Sequence, residues 1–168
     1  MKVIYETERL LLKVFEHVDL DDAKLFWGND EVMEYCSGAT PHEVLPKVID
    51  TYAACYQDKG LSVYAIVKKS SGKVIGAAGF NVETSLEKVE LICHFAKDSW
   101  GKGYATETTR ACLNIAKANG NVRTIYASAD TQNTNSLKLV EKLGFEYKGM
   151  KWFDDTEQYE PYYEISSG

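Results

Sequence analysis

The sequence predicts a mixed α/β domain, and three observations support that prediction. β-rich runs and amphipathic segments alternate along all 168 residues, a pattern typical of a sheet flanked by helices. A glycine-rich turn, Trp100-Gly101-Lys102-Gly103, joins a strand-like run to the clearest helix of the chain. A second helix follows a nearly continuous apolar run and stops at Gly144. Because the sequence contains no repeat, low-complexity tract or Pro/Ser-rich linker, one domain over residues 1–168 is expected.

The first half of the chain predicts three strands and two helices. A mostly apolar run predicts a strand over residues 9–15. Apolar residues at helical spacing, behind acidic capping residues, predict a helix over 19–27. A second helical stretch covers 41–57, with Pro46 leaving its exact start open. Two strand-like runs, 62–67 and 73–80, flank Lys69-Ser70-Ser71-Gly72 and predict an antiparallel hairpin.

The second half predicts four strands and two helices. A strand over 89–96 precedes the glycine turn, and a helix over 104–119 has one apolar face and ends at Gly120. Residues 122–129 are small and apolar, as in a buried parallel strand. In the next helix, Gly144 would allow Phe145 to fold back onto Val140. The runs 146–153 and 162–165 predict a final pair of strands.

Composition narrows the class of protein. A net charge of −6 argues against a general nucleic-acid-binding surface. The four cysteines are scattered without a CxxC pair, so no zinc or disulfide framework is expected. The first residues lack the apolar run of a signal peptide, and no segment is apolar enough to span a membrane. A cytoplasmic protein with reduced thiols is therefore expected.

The glycine-rich turn has the chemistry of an anion-binding loop. Two glycines one residue apart allow a tight turn and a close approach of the backbone to a ligand. The helix that follows adds unpaired N–H donors and the positive end of its dipole. This combination binds phosphate groups. The alternative interpretation is a tight strand–helix turn without a ligand.

Several motifs occur in a fixed order along the chain. They are Thr7-Glu8-Arg9-Leu10-Leu11-Leu12, Trp27-Gly28-Asn29-Asp30-Glu31-Val32, Val89-Glu90-Leu91-Ile92, the turn from Trp100 to Glu107, Asn133-Thr134-Asn135-Ser136 and Glu141-Lys142-Leu143-Gly144-Phe145. Together they resemble the GNAT family of acetyl-CoA-dependent N-acetyltransferases, and within it the RimJ/RimL branch. The resemblance covers nearly the whole chain. It implies the GNAT fold, a mixed, mostly antiparallel central sheet with one splayed parallel pair, flanked by about four helices.

The resemblance also implies where acetyl-CoA binds, without a metal. Its pyrophosphate would lie on the amides of the glycine turn and its pantetheine arm along the preceding strand. The residues assigned to the cofactor in this way are Phe95, Ala96, Lys97, Trp100, Gly101, Lys102, Gly103, Tyr104, Ala105, Thr106, Asn133 and Ser136. Asp98 departs from the family pattern, which has Arg or Gln at that place, and an acid close to phosphate would repel it. Asn133 also fits a helix cap, although Asn135 is the better candidate for capping alone.

Acetyl transfer to an amine needs a base, and Glu90 is the candidate. Glu90 lies on the strand before the turn, where the RimJ/RimL branch often has Glu, and alternation places Ile92 and His94 on the same face. Pairing of Glu90 with a Lys or Arg is the structural alternative. His94 is a second candidate base, although a partly buried, hydrogen-bonded histidine is the preferred interpretation. Glu107, in the first helical turn, is interpreted as a partner of the helix dipole.

The departing thiolate needs a proton or a hydrogen bond. Many GNAT enzymes have a tyrosine immediately before the Glu-Lys-Leu-Gly-Phe run, where this chain has Val140. The resemblance suggests Ser136, one turn earlier on the same helix face, as the substitute. Ser136 also fits an N-terminal capping role. A backbone N–H of the strand over 89–96 is the expected oxyanion donor.

The acceptor is less well defined by the sequence. By resemblance, a protein N-terminal α-amine comes first, and a small-molecule amine such as a polyamine or aminoglycoside is the alternative. A non-catalytic acyl-CoA-binding sensor is a competing class, which Asp98 and Val140 keep open. No nucleic-acid or membrane partner is expected, and a homodimer is left open because the family often forms dimers.

Two groups of residues are candidates for the acceptor side. Aromatic candidates for its walls are Trp27, Tyr35, Trp152, Phe153 and Tyr159. An acidic stretch, consisting of Asp154, Asp155, Glu157 and Glu160, would attract an amine, although such a stretch is more often a solvated loop.

Overall fold

The computed structural model describes residues 1–167 and contains one eight-stranded sheet in the order β1-β2-β3-β4-β5-β6-β8-β7. The strands are β1 (Val3–Glu6), β2 (Leu10–Lys13), β3 (Val63–Lys68), β4 (Val74–Asn81), β5 (Lys88–Phe95), β6 (Thr124–Ser128), β7 (Glu146–Phe153) and β8 (Gln158–Ser166). The α-helices are α1 (Leu20–Ala23), α2 (Leu45–Lys59), α3 (Tyr104–Asn119) and α4 (Thr134–Lys142). Short 3₁₀ helices cover His17–Asp19, His42–Val44 and Lys97–Ser99.

One pair of neighbouring strands in the sheet is parallel. β5 runs parallel to β6, with Lys88, Val89 and Glu90 opposite Thr124, Ile125 and Tyr126. All other neighbours pair in antiparallel fashion. Past Glu90 the parallel pairing stops, while β5 stays paired with β4 as far as Phe95. The predicted mixed sheet with one splayed parallel pair is therefore confirmed.

The sheet separates two hydrophobic layers. One contains Ala111 and Cys112 of α3 and Val140 of α4, together with Leu91 and Phe95 of β5. The other contains Leu45 and Ile49 of α2 and packs against Ile92 from the opposite face of β5. Alternation along the strand produces this division. It places the face that carries Glu90 toward α2 and leaves the other face for α3 and α4.

The structure differs from the sequence prediction at three elements. β1 was not expected, because it is a four-residue edge strand of which Ile4 and Tyr5 are partly buried and the other two residues are exposed. The helix predicted over 19–27 is α-helical only at Leu20–Ala23, and turns carry Phe26 and Trp27 into the core. β8 begins at Gln158, four residues before the predicted strand. The sequence did not predict this start, because polar residues and Pro161 interrupt the strand pattern there. Pro161 pairs with Met150, beside a register shift in β7, where a proline is tolerated.

The end of α4 agrees with the prediction. Gly144 has a φ of 93°, and its N–H donates to the carbonyl of Glu141 at 3.0 Å. The Phe145 N–H donates to the Val140 carbonyl at 3.0 Å, so the chain folds back over the last helical turn. This termination directs the chain into β7, which lies beside β8 at the far edge of the sheet.

A buried ion pair fixes the connection between β2 and α1. Lys13 Nζ lies 2.8 Å from Asp19 Oδ2, and both side chains are at most 5% exposed. The same Asp19 oxygen accepts the Glu16 N–H at 2.8 Å, and Glu16 Oε1 lies 2.9 Å from Lys13 Nζ. Removal of Asp19 would take away the buried partner of the Lys13 ammonium and leave it with the more exposed carboxylate of Glu16.

We expect Asp19→Ala to lower the free energy of unfolding by about 3 kcal/mol. Asp21→Ala is the matched control, because Asp21 pairs with Lys24 at 3.2 Å on the exposed side of the same helix. The control should cost at most about 1 kcal/mol. Urea unfolding followed by circular dichroism measures both values. Equal losses in the two variants would contradict the assigned role of Asp19.

Candidate active site

The divergence of β5 from β6 opens a gap in the sheet. The Ala96 N–H donates to the Ile75 carbonyl at 2.9 Å, on the β4 side of the strand. Since backbone groups of alternate residues point to opposite sides, Cys93 and Phe95 direct theirs toward the gap. The Phe95 carbonyl there accepts the indole N–H of Trp100 at 2.8 Å. The gap therefore has one wall of strand backbone that an extended ligand can pair with.

The glycine-rich turn lies at one end of this gap. Gly101 and Gly103 have φ angles of 74° and 80°, in the region that favours glycine. Within residues 1–167, the six backbone N–H groups from Gly101 to Thr106 have no hydrogen-bond acceptor. They lie at the N-terminus of the 16-residue helix α3, where the helix dipole is positive. The predicted geometry of an anion-binding loop is present.

The charged side chains around this turn already have partners. Lys97 Nζ lies 2.8 Å from Glu31 Oε2, and the Lys102 ammonium donates to the Asp98 carbonyl. Asp98 itself is exposed on the 3₁₀ helix before the turn. An anion at this turn would therefore meet backbone amides, and not an acidic or basic side chain at position 98.

Two other predicted contact residues are engaged in the fold. The Ala96 carbonyl accepts the Ser99 N–H at 2.9 Å, so both backbone groups of Ala96 have partners within the chain. Tyr104 is buried, and its ring stacks on Phe95 with 6.3 Å between the ring centroids. Ala96 can therefore face a ligand chiefly through its methyl group, and Tyr104 through its N–H.

Glu107 is held by the segment between β1 and β2. Its carboxylate accepts bonds from Thr7 Oγ1 at 2.5 Å and from the Arg9 N–H at 3.0 Å, and it pairs with Arg9 Nε at 2.7 Å. Burial opposes its ionisation, but the bonds from Thr7 and Arg9 outweigh it and lower the pKa of Glu107. Glu107 is therefore an ionised structural residue, as its position at the helix start suggested, but its partners are Thr7 and Arg9 of the β1–β2 segment, and its side chain does not cap α3.

Glu90 lies at the last rung of the parallel pairing, opposite Tyr126. Asn81, the last residue of β4, donates its side-chain N–H to Glu90 Oε1 at 3.1 Å. Tyr52 of α2 donates its hydroxyl to Asn81 Oδ1 at 3.1 Å, which fixes the orientation of the amide. Burial raises the pKa of Tyr52 to about 12, so Tyr52 stays a donor at neutral pH. Glu90 has neither a Lys nor an Arg partner within residues 1–167, unlike the alternative considered from sequence.

The surroundings of Glu90 favour its protonated form. Burial is the main cause of the raised pKa of Glu90, and the bond from Asn81 opposes it. The carboxylates of Asp155, Glu83 and Glu160 raise this pKa further. A carboxylate with a raised pKa accepts a proton more readily near neutral pH than an exposed one does.

His94 lies on the same face of β5 as Glu90, but its environment is different. Burial lowers the pKa of His94 to about 4, and burial is the sole cause of the change. No hydrogen bond to the ring contributes within the described chain, so the expected hydrogen-bonded histidine is not what the structure shows. The ring is therefore neutral at pH 7 and a weak base.

In the acidic stretch between the last strands, Asp154, Asp155 and Glu157 are exposed in the turn before β8, as in a solvated loop, and Glu160 is the exception. Glu160 lies in β8 and is only 5% exposed. Glu160 Oε2 accepts bonds from Thr156 Oγ1 at 3.1 Å and from Gln158 Nε2 at 2.8 Å, and Gln158 also donates to Asp130 at 2.8 Å. Cys36 lies among these carboxylates, and burial with their negative charge raises its pKa to about 11. Glu160 therefore adds buried negative charge near Glu90.

The start of α4 carries the remaining candidates. Asn133 is the N-cap, and its Oδ1 accepts the Ser136 N–H at 3.4 Å, whereas Asn135 is exposed in the first turn. The expectation that Asn135 is the better cap was therefore wrong. The Asn133 amide NH₂ and the partly buried Ser136 hydroxyl make no hydrogen bond within residues 1–167. Val140 is buried in the α3–α4 layer, where it provides no proton.

The aromatic candidates for an acceptor wall are spread over the molecule. Trp27 is buried against Phe15 and Tyr52 in the α2 layer. Trp152 and Tyr159 are exposed and pair with each other across β7 and β8. Tyr35 and Phe153 are partly buried. These five residues do not form one continuous wall.

Sequence reasoning missed the polar residues around Glu90, of which Asn81 bonds Glu90 and Tyr52 bonds Asn81. Asn81 ends an otherwise apolar strand, and a lone amide at such a strand end was the available signal. Tyr52 lies on α2, and its contact depends on how α2 packs on the sheet. Tyr126 faces Glu90 only through the parallel register. Such contacts are determined by tertiary packing and not by spacing along the chain.

Over residues 1–167, no helix combines the length and apolarity needed to cross a membrane. The same residues contain no group of three or more His, Cys, Asp or Glu side chains placed to hold a metal ion.

A family model described as "Acetyltransferase (GNAT) domain" matches residues 9–146. Among curated proteins, the uncharacterized N-acetyltransferase p20 of Bacillus licheniformis is 29% identical over 155 residues, covering 89% of this chain and 85% of the relative. The glycine turn, the strand gap and the Glu90 contacts all lie within the matched range.

Two solved structures have the same fold. A GNAT-family acetyltransferase from Bacillus anthracis superposes with a TM-score of 0.84, at 23% identity and with 99% of each chain covered. An acetyltransferase from Salmonella typhimurium, described as modifying the N-terminal serine of the 50S ribosomal subunit protein L7/L12, superposes with a TM-score of 0.82. It is 14% identical and the match covers 98% of this chain and 99% of the other. These similarities confirm the fold expected from the motifs.

We expect Glu90→Gln to raise the melting temperature at pH 8, with a smaller rise at pH 4. A carboxyl whose pKa is raised in the folded state loses stabilising free energy as the pH rises through that pKa. Glutamine keeps the acceptor for Asn81 and has no charge. Glu87→Gln is the matched control, since Glu87 is exposed in the turn before β5. Thermal unfolding at both pH values measures the effect, and a lower melting temperature for Glu90→Gln at pH 8 would contradict it.

Proposed function

The chain belongs to the GNAT acetyltransferase family, and from that premise we propose that it acetylates the α-amine of a protein N-terminus. Family membership makes the protein an N-acetyltransferase that uses acetyl-CoA as the acetyl donor. One observation supports the proposed site most strongly: the gap between β5 and β6 joins the unpaired amides of the glycine turn to the partly buried carboxylate of Glu90.

The cofactor is proposed to lie along this gap. The amides from Gly101 to Thr106 would bind the pyrophosphate, because they are unpaired and lie at a positive helix end. The backbone N–H and C=O of Cys93 and the backbone N–H of Phe95 would pair with the pantetheine arm, because the Phe95 carbonyl already accepts the Trp100 indole N–H. The Asn133 amide NH₂, which has no partner in the described chain, would donate to the same arm from the α4 side. This arrangement brings the thioester close to Glu90.

Glu90 is proposed to act as the general base, directly or through one water molecule. An α-amino group has a pKa of about 8, compared with about 10.4 for a lysine side chain. The α-amine therefore loses its proton to a carboxylate of raised pKa at a smaller cost. Asn81 and Tyr52 would hold Glu90 Oε1 in place and leave the second oxygen free for the proton.

The transfer itself requires two further groups. The neutral amine nitrogen attacks the thioester carbonyl, and the C–S bond breaks to leave the amide and the CoA thiolate. The second proton of the nitrogen passes to Glu90, which has released the first one to solvent. A backbone N–H of β5 that faces the gap would donate to the developing oxyanion. The Ser136 hydroxyl would donate a hydrogen bond to the departing sulfur. Many GNAT enzymes use a tyrosine for this purpose, at the position that Val140 occupies in this chain. Donation to a charged group of this kind contributes about 1.5–3 kcal/mol.

Two observations support an N-terminal acceptor. Glu90, Asp155, Glu83 and Glu160 form an acidic region that attracts a protonated amine. The Salmonella neighbour of the same fold is described as acting on a protein N-terminal serine. The acidic region also suits a polyamine or an aminoglycoside, which remain the alternative acceptors. A non-catalytic acyl-CoA-binding sensor would bind CoA without turnover.

An acceptor panel separates these possibilities. The panel contains a peptide with a free N-terminus, the same peptide with its N-terminus blocked and one lysine, spermidine and an aminoglycoside, each with acetyl-CoA. We expect the peptide with the free N-terminus to be acetylated. The rate should fall at acidic pH, and the midpoint of this fall should lie above the ordinary carboxyl range because the pKa of Glu90 is raised. Glu90→Gln should lower kcat by about 10²–10⁴ and remove that acidic limb.

The control for the panel is Glu87→Gln, an exposed carboxyl outside the proposed site. Turnover of spermidine or the aminoglycoside alone would contradict the proposed N-terminal acceptor and would favour a small-molecule amine. CoA binding without any turnover would favour the sensor. An unchanged rate and pH profile in Glu90→Gln would remove Glu90 as the base.

A further inference from the structure

We propose that Arg9 is a positioning residue that holds the Gly103 amide in the direction needed to bind the pyrophosphate of acetyl-CoA. This inference rests on the proposed function, because it concerns the same cofactor site. Arg9 precedes β2 and lies far from the glycine turn in sequence, and it was not among the residues assigned to the cofactor.

The Arg9 guanidinium is fixed by three contacts. Its Nη1 donates to the Lys102 carbonyl at 2.9 Å, and its Nε donates to Glu107 Oε1 at 2.7 Å. Its central carbon lies 4.4 Å from the centroid of the Tyr104 ring, in cation–π contact. A planar guanidinium held at two nitrogens and stacked on a ring has little freedom to rotate.

The Lys102 carbonyl and the Gly103 N–H belong to the same peptide unit. In a planar trans peptide, the C=O and the N–H point in opposite directions. A donor that holds the Lys102 oxygen therefore determines the direction of the Gly103 N–H, away from Arg9. The contact on one side of this peptide thus orients the donor on the other side, where the anion is proposed to bind.

The turn needs such a restraint because glycine provides none. Gly101 and Gly103 flank Lys102, and both have positive φ angles. Glycine occupies several backbone regions at similar energy, so this peptide could rotate and turn its carbonyl toward the anion. Arg9 favours one orientation. A Cβ built on Gly103 would lie 3.5 Å from Arg9 Nη2, which shows how closely the guanidinium covers the turn.

Arg9 also supplies positive charge behind the turn. Asp98 stands where a basic or amide side chain was expected, and Lys97 is paired with Glu31. Glu107 neutralises part of the Arg9 charge and anchors it to α3. The orientation of the amide, and not direct contact with phosphate, is therefore the main effect assigned to Arg9.

The test compares two acetyl donors. Acetyl-CoA carries the pyrophosphate, whereas S-acetylpantetheine has the same thioester and arm without it. For Arg9→Ala we expect KM for acetyl-CoA to rise by about ten-fold or more with kcat little changed. The kcat/KM for S-acetylpantetheine should stay within two-fold of wild type. Arg9→Lys should not restore KM, because a lysine ammonium cannot bind the Lys102 carbonyl and the Glu107 carboxylate with the geometry of the planar guanidinium.

The matched control is Arg123→Ala, which removes an exposed arginine near Glu87 and should leave both donors unaffected. An unchanged KM for acetyl-CoA in Arg9→Ala, or equal losses with both donors, would overturn the positioning role. Full rescue by Arg9→Lys would show that charge alone matters and would also overturn it. Failure of the wild-type protein to use either donor would instead overturn the proposed function, and this inference with it.

Discussion

The proposed site depends on where the parallel pairing of β5 and β6 stops. The ladder ends at Glu90 and Tyr126, and β5 continues beside β4 alone. A strand that leaves its neighbour exposes backbone donors and acceptors, which a protein interior otherwise keeps paired. Here the exposed stretch is enclosed by α3 on one face and α2 on the other. The same divergence brings the glycine turn and the Glu90 carboxylate to the same gap.

The two ends of the gap have opposite electrostatic character. At the glycine turn, unpaired amides and the start of α3 favour an anion, with Arg9 behind them. Around Glu90, burial and the negative charges of Asp155, Glu83 and Glu160 raise the pKa of Glu90, and this group of carboxylates favours a cation. Such a gradient suits a reaction between an anionic donor and a protonated amine. It also explains why the burial of Glu90 is tolerated despite its cost in stability.

Much of this arrangement could be predicted from the sequence. The glycine turn, the strand before it and the Gly144 termination depend on local backbone chemistry, so residues close in sequence predict them. The Asn81 amide and the Tyr52 hydroxyl could not be assigned to Glu90, because α2 and β4 meet β5 only in the folded chain. Arg9 was missed for the same reason. It lies immediately before β2, and nothing in the neighbouring sequence indicates that its side chain bonds Glu107 of α3.

The most direct measurement of the central claim is a titration of ¹⁵N-labelled protein with CoA and, separately, with pantetheine, followed by amide NMR. If the six amides from Gly101 to Thr106 bind the pyrophosphate, their resonances should shift strongly with CoA and little with pantetheine. The β5 amides of Cys93 and Phe95 should shift with both ligands. Saturable binding of CoA that leaves the six turn amides unmoved would contradict the account.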